Sequence, residues 1–123
     1  MKDVYDYEPI QKDWSQHTAS LLMGVQACMW TEFCNAPEDV DYLLFPRLSA
    51  LAEVAWTRPE RKDWKAYLAA MDGFNEHLAA KGIVYARSMY NIQQTVTPRD
   101  GRLEVKLDCI RPDVEVRYTM DGS

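Results

Sequence analysis

No run of apolar residues in this 123-residue chain approaches the roughly 18 that a bilayer-spanning helix requires, so no membrane span is expected. Cationic clusters are missing as well. Fourteen Lys and Arg stand against nineteen Asp and Glu, a net charge of −5, and no Lys/Arg-rich patch argues for a nucleic-acid partner. Cysteine is scarce: Cys28, Cys34 and Cys109 are odd in number and lack CxxC spacing. With only His17 and His77 to complete a ligand set, no metal site is expected, and the cysteines read as small apolar fillers. GxSxG, a phosphate-binding loop, a dinucleotide glycine pattern and HExxH are all absent, so no cofactor is expected. The first ten residues, MKDVYDYEPI, contain no hydrophobic core of a secretory signal.

What is present suits one packed domain by length, with 47% hydrophobic and 27% charged residues. Asp13 or Ser15 can cap a short helix over Trp14 to Leu22, ended by Gly24. Val25 to Trp30 is a short apolar run whose length suits a buried strand. Asn35-Ala36-Pro37-Glu38 is a helix start, and the segment EDVDYLLFPRLSALAEVAW is apolar on more than one face, as in a helix buried between layers. Pro46 should break or kink that helix near Phe45, because proline removes a donor and crowds the preceding turn. Asp63 to Lys81 is the clearest amphipathic helix, with Trp64, Tyr67/Leu68, Met71, Phe74 and Leu78 in register and Gly82 as its stop. Gly73 inside it reads as a mark of close packing. From Thr95 the period changes to two. RLEVKLD and DVEVRYTMDG read as two antiparallel strands joined by a turn at Arg111-Pro112-Asp113, and helix gives way to strand near residues 87–94. Asp121-Gly122-Ser123 is a turn signal with nothing after it, so this end is expected to be a cut one.

One stretch carries chemistry. GVQACMWTEF ends on Trp30 and Glu32, two residues apart and therefore on one side of a regular strand. An indole packs on the C–H face of a sugar, and a carboxylate beside it accepts from hydroxyls. On spacing alone the signal is weak, since tryptophan at a strand end is more often core. The other candidates read as structural: His17 and His77 as solvated or packed, Arg47 and Glu53 as a paired buried charge set, and Asp3, Asp6 and Glu8 as solvated acids beside Tyr5 and Tyr7.

Taken together, DVYDYEP, MGVQACMWTEF and DVDYLLFPRLSALAEVAWT resemble the last part of the catalytic barrel of glycoside hydrolase family 20, the β-N-acetylhexosaminidases, over about residues 3–90. VEVRYTMDGS resembles the opening of the small β-sandwich that follows the barrel in many bacterial members. The resemblance implies an α+β fragment: residues 1–90 as the C-terminal part of a (β/α)₈ barrel, with Gly24–Trp30 as its eighth strand and an additional helix, and residues 91–123 as the start of a truncated sandwich domain. It implies that Trp30 walls the site of a terminal N-acetylhexosamine and that Glu32 accepts from its O4 and O6 hydroxyls. It implies a retaining mechanism in which the substrate's own 2-acetamido oxygen attacks, aided by an adjacent Asp-Glu pair. That pair has no counterpart here, because Glu38 and Asp39 stand in the wrong order at a helix start and Glu53 is alone. The expectation is an exo-acting hexosaminidase as the parent, with this chain supplying part of the sugar site, no catalytic residue, and a need for the missing remainder of the barrel. A secreted or periplasmic location follows only from family habit. The alternatives are a non-catalytic carbohydrate-binding or assembly module, and a helical interaction domain with a hairpin and no sugar role.

Overall fold

A computed structural model describes residues 1–122, which divide into two compact units, the first ending at Ala86 and the second beginning at Arg87. Among the described residues the first holds five α-helices: α1 (Lys2–Tyr5), α2 (Gln16–Ser20), α3 (Pro37–Leu44), α4 (Arg47–Trp56) and α5 (Trp64–Ala80). The second holds one antiparallel hairpin, β1 (Ile92–Arg99) and β2 (Arg102–Cys109).

α5 forms for local reasons. Asp63 caps it by accepting from the Ala66 amide at 3.0 Å. At the other end Gly82 turns left-handed (φ 72°), the Gly82 amide donates to Ala79 and the Ile83 amide to Leu78, both at 3.0 Å. That is the paired-carbonyl closure for which glycine is suited. Tyr67, Leu68, Met71, Asn75 and Leu78 form its buried stripe. Gly73 lies on the opposite, open face, where an added Cβ would meet nothing within 4 Å, so the close packing expected there is absent.

The long apolar segment breaks where proline requires it. α3 stops at Leu44, Phe45 is extended, the Phe45–Pro46 peptide is cis, and α4 restarts at Arg47. Two bonds use the groups the break frees: Phe45 O accepts from the Ala86 amide at 2.9 Å, and Pro46 O accepts from Ser49 Oγ at 2.6 Å. The Ser49 hydroxyl also bonds Tyr67 Oη at 2.8 Å, tying α4 to α5. At the start of α3 the cap is made backwards. Asp39 Oδ2 accepts from the amides of Asn35 (2.8 Å) and Ala36 (3.0 Å), while Ala36, not Asn35, occupies the cap position.

α1 packs on α4, and Tyr5, 3% exposed, carries it onto the start of α5. Its ring lies 4.9 Å from those of both Trp64 and Tyr67, which stack on each other at 5.4 Å. Lys62 Nζ sits 5.5 Å from the Tyr5 ring and pairs with Glu8 at 2.6 Å. Burial raises the pKa of Tyr5, reinforced by the nearby Glu53, Asp63 and Asp6 carboxylates. Burial likewise raises Tyr67, with the Ser49 bond opposing it.

Two expected strands are not formed. Val25–Trp30 has neither helix nor strand pairing among the described residues, because a strand exists only against a neighbour and none is present. Val114, Val116 and Tyr118 are likewise outside any ladder, although the turn at Pro112-Asp113 is there. The hairpin uses the preceding segment. Asp100 (φ 50°) and Gly101 (φ 74°) form its two-residue loop, both left-handed as such a turn demands, and Val96 faces Val105. One face carries Ile92, Val96, Pro98, Leu103, Val105 and Leu107, and the other carries Thr95, Thr97, Glu104 and Lys106. The helix expected from Trp14 is confined to Gln16–Ser20, capped by Ser15 through a 3.0 Å bond from the Thr18 amide.

Candidate functional site

The site stretch enters through Gly24 and continues without regular structure to Thr31. Cys34 N then donates to Thr31 O at 3.1 Å, closing a turn with Glu32 and Phe33 at its centre. The pleat that would put Trp30 and Glu32 on one face therefore ends at the turn. Trp30 is 74% exposed, and Glu32 is exposed beside it in sequence.

Trp30 forms part of the wall of a cleft of about 860 Å³. Met29 and Val25 line it from the same stretch, Val4 and Tyr7 from the N-terminal segment, and Leu48 from α4. Its lining is mostly apolar, with Asp3 and Arg47 as the charged members, and Glu32 is not among the lining residues. The site pair is thus divided: the indole in the cleft wall, the carboxylate on the turn beyond it.

Of the other sequence candidates, Arg47 is exposed at the cleft and forms no ion pair with Glu53 among the described residues. Glu53 instead accepts from Thr57 Oγ1 at 2.9 Å. Asp6 pairs with Lys2, and Glu8 pairs with Lys62, so that acidic run is divided between two lysines. His17 and His77 are exposed. Cys28 is exposed and not a filler, while Cys34 and Cys109 are half-buried, and all three are free thiols. Glu38 and Asp39 open α3, with Asp39 engaged in its cap. The sequence reading overlooked Tyr7, Asp3 and Arg47 as cleft residues.

Residues 1–59 match the model of the glycosyl hydrolase family 20 catalytic domain. This stretch is similar to the family 20 catalytic domain. The match runs through Trp30, Glu32 and the FPRLSALAEVAW string of α4. The chain is similar to a beta-hexosaminidase of Porphyromonas gingivalis, 33% identical over 85 residues, which is 69% of this chain and 11% of that protein. It is similar to a beta-N-acetylhexosaminidase of Cellulomonas fimi, 41% identical over 64 residues, covering 52% of this chain and 13% of the relative. A beta-hexosaminidase subunit beta of Felis catus is 36% identical over 56 residues, 46% of this chain and 10% of its own length. The chain therefore spans only about a tenth of the curated relatives it matches. The regular elements described within residues 1–59 are helices, and with the hairpin in the second unit the chain is a small α+β structure.

Proposed function

We propose that this chain is the C-terminal segment of an exo-acting β-N-acetylhexosaminidase, a glycoside hydrolase that releases terminal β-linked N-acetylhexosamine from glycans. The observation that carries the proposal is the family 20 catalytic-domain match over residues 1–59, with Trp30 and Glu32 inside it. In this reading Gly24–Trp30 is the eighth strand of a (β/α)₈ barrel, α3 and α4 are its last helical layer, and residues 91–123 open a β-sandwich. The nonpolar cleft wall suits that assignment, since a barrel strand needs neighbours on both edges.

Trp30 stacks on the pyranose face, and Glu32 accepts from hydroxyls at its non-reducing side. The chain supplies recognition. The reaction, retaining and assisted by the substrate's 2-acetamido oxygen, uses an acidic pair from the rest of the parent protein, so no residue here is assigned a catalytic role. Export of the parent protein belongs to the same proposal.

The test is made in the longer protein. Trp30→Ala is expected to lower kcat/KM for a nitrophenyl β-N-acetylglucosaminide by about 10²-fold or more, within the range for losing one aromatic sugar contact plus positioning. Glu32→Gln is expected to lower it less, with the fold intact by circular dichroism. Nitrophenol release by the purified 123 residues, or an unchanged kcat/KM in both variants, would overturn the reading.

A further inference from the structure

We propose that Trp56, Arg58 and Arg61 form a second carbohydrate site, distinct from the Trp30 cleft, that takes a sugar residue bearing a carboxylate or sulfate group. The choice of a sugar rests on the proposed function, in which the parent protein acts on glycans. The recognition of a flat ring and an anion rests on the residues themselves.

Trp56 is the last residue of α4 and is 89% exposed. Its exit from the helix is fixed, because the Thr57 amide donates to Glu53 O and Thr57 Oγ1 donates to Glu53 Oε1, both at 2.9 Å. Arg58 then takes the extended conformation that a following proline imposes, and Pro59 opens a 3₁₀ turn over Pro59–Arg61. The Arg61 amide donates to Arg58 O at 2.9 Å, which sets the two arginines at the two ends of one turn. All three side chains border an open cavity of about 510 Å³ that shares no lining residue with the Trp30 cleft.

What marks the place is that these groups are unused. Other cations near aromatic rings in the first unit are committed: Lys2 lies 5.3 Å from the Trp64 ring and pairs with Asp6, and Lys62 lies over Tyr5 and pairs with Glu8. Arg58 and Arg61 are exposed and form no ion pair among the described residues, although Glu60 stands between them. Neither guanidinium lies over the Trp56 ring, and no described ring packs on it. Two like charges held in one turn repel, and an anion between them replaces that repulsion with attraction. A guanidinium donates in a planar fork that suits the paired oxygens of such an anion. The indole face packs on pyranose C–H groups, and Trp and Arg are the residue types that most often dominate a binding surface. Because Pro59 fixes the turn beforehand, less conformational freedom is lost when the ligand arrives. A neutral sugar would use the indole alone and a free anion the arginines alone. A sugar that carries its own anion uses all three.

The experiment titrates the 123-residue chain and follows the Trp56 indole N–H and the Arg58 and Arg61 Nε–H signals by NMR. The probes are tetrasaccharides of chondroitin sulfate (uronate and sulfate), hyaluronan (uronate alone) and chitin (neutral), with inorganic sulfate as the fourth. All three signals should move with an anionic tetrasaccharide, and the chitin fragment and inorganic sulfate should bind at least roughly tenfold more weakly. Binding of hyaluronan assigns the carboxylate, and binding of chondroitin sulfate alone assigns the sulfate. Arg58→Gln with Arg61→Gln, and separately Trp56→Ala, should each weaken binding about tenfold while leaving the helical dichroism unchanged. No movement with either anionic probe overturns the proposal, as does equal binding of the chitin fragment or inorganic sulfate, or binding that survives Trp56→Ala. The Trp30 and Glu32 variants of the longer protein test the proposed function separately, so their failure with anionic-sugar binding intact counts against that reading alone.

Discussion

Two tryptophans in one unit have opposite fates. Trp64 begins α5 and is enclosed by Tyr5 and Tyr67 at 4.9 and 5.4 Å, whereas Trp30, 34 residues earlier, stands 74% exposed at a cleft. The difference is where their partners are. Trp64 has its partners inside the chain, on α1 and one turn along α5. Trp30 belongs to a stretch whose backbone has no partner within the described residues. A side chain that completes its contacts locally supports the fold; one that does not is available to something else.

The sharpest way to break that contrast is truncation on each side of it. Met71 is 2% exposed, and Met71→Ala should destabilise the chain by about 2–5 kcal/mol in urea unfolding followed by dichroism. Phe33→Ala, at a residue 89% exposed, should change it by no more than about 0.5 kcal/mol. Equal losses would erase the distinction. Next in size is the α5 cap: Asp63→Ala should cost about 1 kcal/mol, because the Ala66 amide loses its acceptor. A smaller change of opposite sign is expected at Gly73. Gly73→Ala should stabilise by about 0.5–1 kcal/mol, since the helix gains propensity and the methyl meets nothing.

The last prediction concerns the second unit. The Arg111 guanidinium, donating from Nε to Asp113 Oδ1 at 2.8 Å, holds the Asp113 carboxyl down at about 2. A carboxyl depressed in the folded state stabilises it above the unfolded value near 3.8 and loses that contribution as pH falls through about 2. Carbon-detected NMR titration of Asp113 should show its midpoint well below the ordinary range, and Arg111→Gln should return it upward. An ordinary midpoint in the unmodified chain would contradict the pairing.

The same contrast explains what could be read from the sequence. α5 was legible because its cap, stripe and stop are all written within 20 residues, and the break at Pro46 needed only the chemistry of proline. The run at 25–30 has strand composition, but a strand is a pairwise object, and no pairing of it is present among the described residues. In the hairpin, the alternation of 102–108 was assigned to the segment after it instead of the one before. β1 conceals itself behind Gln93, Gln94, Thr95 and Thr97, while the Asp100-Gly101 loop that joins the two strands was the decisive local signal. In the site, Trp30 was legible as an aromatic out of place. The roles of Tyr7, Asp3 and Arg47 in the cleft were not, since they come from three-dimensional packing of α1 and α4 around that stretch.

Residue-resolved hydrogen exchange on the isolated chain tests the central claim most directly. If the core is complete and the site-bearing stretch is not, amides from Tyr67 to Leu78 will be protected up to the global unfolding limit, and amides from Val25 to Trp30 will exchange near the rates of an unstructured peptide. Protection of Val25–Trp30 comparable to that of α5 would mean the stretch is already paired within this chain, and the account would be wrong.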